Sequence, residues 1–166
     1  MSTKKHEGHP HLTGEHKYGD GGQLLLFFLF LGIWITDSFV LRFSNFLMEV
    51  IPAYIRLAAA SLTLFAGIFL ARGGMKAVFG TQREKPEVIS EGVFRLVRHP
   101  IYTGALLFYL AAILSTLSLI SAAFWFLIIG FYIFISRYEE TILTETFGND
   151  YLEYKKKTGM LVPKFF

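Results

Sequence analysis

Two clusters of polar residues in an otherwise apolar chain have the types and spacing to hold a charged ligand. The first is Arg98-His99-Pro100-Ile101-Tyr102-Thr103-Gly104. Proline fits the first turn of a helix, where a missing N–H costs nothing, so a helix is predicted to begin at Pro100. The free N–H groups of that turn, with the positive end of the helix dipole behind them, face Arg98 and His99 and form a seat for a carboxylate or phosphate. Tyr102 lies one turn further in, and Gly104 lets a ligand or a neighbouring helix come close. An ordinary reading also stands, in which Arg98 snorkels at an interface, Pro100 opens a helix and Gly104 packs against another helix.

The second cluster is Arg137-Tyr138-Glu139-Glu140, followed by Phe147-Gly148 and by Tyr151 and Tyr154. If one helix runs through it, Glu139, Leu143 and Phe147 share a face, and Gly148 suits the residue that ends the helix. Adjacent carboxylates at a helix C-terminus gain nothing from the dipole and call for a cation, which Arg137 or a ligand can supply. The ordinary reading is a solvated acidic helix end. Anion-seeking groups in one cluster and cation-seeking groups in the other suit a zwitterion, and the tyrosines Tyr102, Tyr138, Tyr151 and Tyr154 offer faces for a cation or an adenine ring.

The elements that carry these clusters follow from composition. Of 166 residues, 53% are hydrophobic, 17% aromatic and only 17% charged, and mean hydropathy is +0.46. Soluble domains carry about 25% charged residues, so a lipid-solvated chain is expected. Disorder and a soluble nucleotide-binding domain are excluded. Without cysteine there is no disulfide framework and no thiolate site. Apolar stretches are predicted as spans at about 24–41, 53–71, 101–116 and 119–137. The last two come from residues 101–136, which hold no Asp, Glu, Lys or Arg. As one helix they would measure about 54 Å, too long for a bilayer, so the chain turns back near Ser115-Thr116-Leu117-Ser118.

Positive charge orients the spans. The N-terminal tail, the loop 72–99 and the segment after residue 136 hold 3, 6 and 5 Lys or Arg, whereas the other side has Arg42 and Arg56. Lys and Arg favour the cytoplasm, so both termini are predicted there, at the inner membrane if the source is bacterial. The organisation read from this is a flexible polar tail at 1–22, a single transmembrane domain at 23–166 and a cytoplasmic cap at 138–166. Asp37 is expected to play a structural role beside Arg42 or Arg56. The tail histidines His6, His9, His11 and His16 match no known metal spacing and are read as solvated. Lys155-Lys156-Lys157 is expected to meet anionic lipid headgroups, and nucleic acid is not an expected partner.

The joint order of Gly92, Arg98-His99-Pro100, Tyr102, Gly104, Glu139-Glu140, Phe147-Gly148, Tyr151, Tyr154 and Pro163 resembles the integral-membrane methyltransferases. These include isoprenylcysteine carboxyl methyltransferase and the phospholipid N-methyltransferases. The resemblance covers Gly92 to Pro163, and residues 1–91 show no specific match. It implies an all-α membrane fold of four helices, with a tight hairpin for spans three and four and a cytoplasmic S-adenosylmethionine pocket. Arg98, His99, Pro100, Tyr102 and Gly104 would border the cofactor, Glu139 and Glu140 would hold its charged groups, and Tyr151 and Tyr154 would cap it. Phe94 stands where relatives often carry Tyr. The acceptor implied is lipophilic, enters from the bilayer, and is most like an isoprenylcysteine carboxylate, with a phospholipid amine as the alternative.

In such chemistry a carboxylate acceptor needs no base, and Arg98 or Arg137 can orient it. An amine must lose a proton, with Glu139 or Glu140 the nearest base by type. A sterol-reductase-like enzyme using NADPH usually has more spans. A glutathione-transferase-like enzyme lacks its expected Arg, Asn and Glu pattern here. A channel or transporter subunit would place ionisable groups near the bilayer midplane. The sequence does not specify oligomeric state.

Overall fold

The computed structural model describes residues 19–80 and 87–164. Among them the architecture is helical throughout: α1 Gly19–Ile35, α2 Leu47–Val50, α3 Ala53–Phe79, α4 Pro100–Thr116, α5 Leu119–Phe147 and α6 Asn149–Lys157. The tail histidines lie outside the described residues. Three stretches are long and apolar enough to cross a membrane: Gly19–Leu41, Ala53–Phe79 and Leu119–Phe147. The 17 residues of α4 form a shorter apolar helix. The outward faces are greasy, with Leu24, Phe28, Phe65, Phe69 and Phe126 each more than half exposed. In water such a surface would be a liability; against lipid it is the expected exterior.

The predicted reversal between the third and fourth apolar stretches falls at the serine-threonine run. Helix α4 stops at Thr116, Leu117 takes a left-handed conformation (φ 51°), and Ser118 caps α5 by accepting from the Ser121 N–H. Leu117 sits in a conformation that costs an ordinary residue energy, and the polar network around it holds it there.

Helix α3 departs from expectation. It was predicted to end near residue 71, but it continues through Arg72-Gly73-Gly74 to Phe79. Glycine is a poor helix former, yet here tertiary packing needs the missing side chains. A Cβ on Gly73 would lie 2.6 Å from Val93, and one on Gly74 would lie 2.8 Å from Ile101 and 3.0 Å from Pro100. The same logic governs the closest helix pair, α3 with α4. A Cβ on Gly104 would come within 2.7 Å of the Gly67 carbonyl oxygen and 2.9 Å of Ala71 Cβ. Small residues thus let two backbones approach, as in membrane interfaces generally.

Helix α1 starts at Gly19, and at Thr36 it widens into one π-helical stretch that ends at Leu41. That stretch presents Asp37 and Ser38 inward, both buried. Asp37 does not meet Arg42 or Arg56. Its Oδ2 accepts from Ser44 Oγ at 2.5 Å and Ser118 Oγ at 2.6 Å, and its Oδ1 accepts from the Ser44 N–H at 3.1 Å. Ser44, just after the π-helical stretch, and Ser118, at the α4–α5 turn, therefore do what an arginine was expected to do. Arg56 instead donates to the Ile51 carbonyl at 3.0 Å and to the Ser115 carbonyl, placing a cation at the C-terminal end of α4, where the helix dipole welcomes it. The apolar core at the centre joins Phe30, Leu106, Tyr109, Ile113, Ile128, Tyr132, Ile135 and Leu161.

Candidate active site

Both polar clusters meet at one end of the α4–α5 hairpin. Pro100 opens α4, with His99 as the residue before it. Two backbone N–H groups ahead of the helix are paired before any ligand arrives: Arg98 N–H with the Gly159 carbonyl at 2.8 Å and His99 N–H with the Met160 carbonyl at 3.1 Å. A parallel bridge between Val97 and Gly159 lies beside them. Thr103 adds a side-chain bond to the Leu161 carbonyl at 3.0 Å. The segment after α6 is thus strapped across the start of α4.

Helix α5 runs past the boundary predicted at 137 to Phe147. Glu139 and Glu140 therefore lie two turns before its end and not at a helix C-terminus, and the two have different surroundings. Glu140 is buried and accepts on both oxygens. Arg98 Nε lies 2.7 Å from its Oε1, and Lys155 Nζ lies 2.8 Å from its Oε2. The rest of the Arg98 guanidinium donates to the Lys155 carbonyl at 3.2 Å and to the Thr158 carbonyl. Glu139 is half-buried and receives the Tyr102 hydroxyl. The His99 ring lies between the two carboxylates, with Nδ1 3.3 Å from Glu139 Oε2 and Nε2 3.4 Å from Glu140 Oε1. Tyr102 stacks on that ring at 5.7 Å, nearly parallel.

Burial alone would lower the His99 pKa, but the two carboxylates outweigh it and hold it above its usual value of 6.5. The ring is therefore biased towards imidazolium. On α6, burial pushes the phenols of Tyr151 and Tyr154 up, so both stay neutral. Tyr154 donates to the Phe94 carbonyl at 2.7 Å, and the Tyr151 and Tyr154 rings meet edge to face at 5.9 Å.

Most residues singled out from sequence come together, but their roles divide. Arg98, His99, Pro100, Tyr102, Glu139, Glu140, Tyr151 and Tyr154 belong to one neighbourhood. The expected anion seat and the carboxylates are not opposite walls; they neutralise each other directly through Arg98 and Glu140. Gly104 spends its close approach on α3. Arg137 is exposed and outside the cluster. The carboxylate partner expected of Arg137 is supplied by Arg98 and Lys155. Lys155 had been read as a lipid contact, and so had Lys156, which pairs with Glu153 at 2.7 Å. The strap at residues 158–161 gave no sequence signal, because its bonds are made by backbone.

A family model of phospholipid methyltransferases matches residues 54–150, which is more than half of the chain. The chain belongs to the phospholipid methyltransferase family. The match begins at the start of α3, well ahead of Gly92, where the sequence resemblance began. Among curated members, a methanethiol S-methyltransferase of Pseudomonas sp. (strain GM41(2012)) is 37% identical over 83 residues, covering 49% of this chain and 30% of that protein. Methanethiol S-methyltransferase 1 of Bradyrhizobium diazoefficiens is 33% identical over 86 residues, covering 51% of the chain and 29% of the relative. Protein-S-isoprenylcysteine O-methyltransferase B of Arabidopsis thaliana is 32% identical over 83 residues, covering 49% and 42%. The chain spans about a third of the length of these members of the phospholipid methyltransferase family. No solved structure matches it.

Proposed function

We propose that this chain transfers a methyl group from S-adenosylmethionine to a lipophilic acceptor that reaches it from the bilayer. The observation that carries the reading is the cluster in which His99 sits between Glu139 and Glu140 with Tyr102 stacked on it. The donor set fits the cofactor. Glu139, held by Tyr102 and His99, offers a carboxylate to its cationic groups, and the rings of Tyr102 and of buried Tyr151 and Tyr154 add aromatic faces. Ser136 Oγ, one turn before Glu140, is buried without a hydrogen-bond partner among the described residues, leaving a further polar group for a ligand.

Glu139, His99 and Tyr102 would touch the cofactor, while Arg98, Glu140 and Lys155 would hold the first three in place. The cofactor supplies an already electrophilic methyl group, so the protein's task is alignment and exclusion of water. Tyr102 and His99 fix the Glu139 carboxylate in one orientation, and the strap at 158–161 covers the start of α4. On this reading α4 is a fourth span, about 25 Å long at 1.5 Å per residue. Both termini then lie in the cytoplasm on the side rich in Lys and Arg.

Calorimetric titration of S-adenosylmethionine into the purified protein in detergent tests the reading. Micromolar binding that Glu139→Gln/Glu140→Gln abolishes supports it. A folded protein that does not bind overturns it, and NADPH titrated alongside would then identify a reductase.

A further inference from the structure

A groove of about 560 Å³ runs between α1, α4 and α5, within the range of small-molecule sites. Its apolar wall includes Leu24, Phe27 and Phe108, and two of these, Leu24 and Phe108, are exposed to the surroundings of the bundle at 58% and 40%. The groove therefore opens sideways towards lipid. Its polar groups are Asp20 and Gln23, one turn apart on α1, with Tyr109 of α4 and Tyr132 of α5. The Tyr132 hydroxyl lies 3.5 Å from Gln23 Oε1.

The groove connects to the candidate active site by touching rings. Tyr132 packs on Tyr102 at 5.3 Å, and Tyr102 donates to Glu139. A chain lying in the groove would present its head group beside the residues assigned to the methyl donor. The charge of the lining is one-sided: among the described residues lining the groove there is one acid, Asp20, and no base. A carboxylate there would meet the charge of Asp20, and so would a phosphodiester. A protonated amine would find Asp20, the Gln23 carbonyl oxygen and the Tyr132 face.

We infer that this groove is the acceptor site and that it selects a single-chain aliphatic amine without a phosphate, read by Asp20 and Gln23. Both residues precede the stretch that matches the family. The inference rests on the proposed methyl transfer for its reaction, but the binding preference stands apart from it. In that reaction the amine nitrogen forms the new bond to the methyl carbon and the sulfur–methyl electron pair stays on sulfur. An ammonium acceptor releases one proton to water as it becomes a methylammonium.

The test is calorimetric binding to the full chain in phosphocholine nanodiscs, corrected against empty discs. The probes are dodecylamine, dodecanoate and didodecanoyl phosphatidylethanolamine. Dodecylamine should bind about tenfold tighter than either other probe, the scale of one charge-assisted hydrogen bond. Asp20→Asn should erase that preference, and Asp20→Lys should turn it towards dodecanoate. Because Asp20 is exposed, the thermal midpoint of both variants should stay at the parent value. Equal or tighter binding of dodecanoate or of the phospholipid by the parent protein would overturn the inference, as would a preference that survives Asp20→Asn. Titrating S-adenosylmethionine into the same preparation separates the two readings. Loss of cofactor binding alone would remove the methyl transfer and leave the amine preference standing.

Discussion

Arg98 Nε lies 2.7 Å from Glu140 Oε1, and this pair joins the residue two places before α4 to a residue two turns before the end of α5. The two are 42 positions apart in sequence, yet both side chains are buried, and the remaining guanidinium bonds go to the backbone carbonyls of Lys155 in α6 and Thr158 just after it. One arginine therefore fixes three segments at once.

Arg98→Ala should destabilise the protein by about 3–5 kcal/mol, because it leaves a buried carboxylate without its nearest counter-ion. Arg98→Lys should recover only part of that loss, since a lysine cannot reproduce the forked contacts. Thermal unfolding in detergent would read both. An unchanged midpoint for Arg98→Ala would show that Lys155 alone satisfies Glu140.

The two glutamates should separate when mutated singly. Glu139→Gln should keep the fold and weaken S-adenosylmethionine binding about ten- to a hundredfold, the range for losing a hydrogen bond to a charged group. Glu140→Gln should lower the unfolding midpoint, because Arg98 and Lys155 lose their shared anion. Calorimetry and unfolding on the same samples would distinguish a ligand contact from a positioning residue.

His99 gives the stability a pH dependence of known sign. Its folded-state pKa lies above 6.5, after burial pulls it down and the two carboxylates pull it further up. Folding then favours the protonated ring, so the contribution is complete below about 6.5 and fades as pH rises through the folded value. Unfolding free energy should fall across that window, and His99→Gln should flatten the slope. Denaturant titrations from about pH 5 to 8 and above would measure it.

Gly104→Ala should cost about 1–3 kcal/mol, since the added methyl meets the Gly67 carbonyl, which is backbone and cannot turn aside. Gly130, with nothing within 4 Å of a Cβ, is the control, and alanine there should be neutral or stabilising for the helix. The thermal midpoints of the two variants in the same detergent would check the pair.

The helical hairpin was legible because its signals are local. A run of 36 residues without charge forces a reversal, and serine and threonine at its middle supply caps and turn residues. Pro100 as a helix start and Gly148 (φ 55°) after the end of α5 are local for the same reason. The extra turns of α3 were not legible. Gly73 and Gly74 read as helix breakers until Val93, Ile101 and Pro100 are seen to need the space. In the site, residue types announced Glu139, Glu140, Arg98 and His99. Their pairing did not follow, because whether Arg98 or Arg137 faces Glu140 depends on how a loop and a helix end come together. Lys155 looked like one of three interchangeable surface lysines; only the position of α6 sets it apart. Asp37 was found as a structural residue, but its partner Ser118, 81 positions away at the α4–α5 turn, was invisible without the fold.

The strap after α6 has a consequence for how the protein is made. Gly159, Met160 and Leu161 provide the carbonyls that pair with Arg98, His99 and Thr103, and all three are synthesised after α1, α3, α4 and α5. The helices can enter the bilayer one by one as they leave the ribosome, whereas the start of α4 must wait, open, until this late segment folds back over it. Membrane insertion and completion of the site are therefore separate events in time. A nascent chain arrested just past α6 would hold α1, α3, α4 and α5 and still lack the carbonyls that close the start of α4.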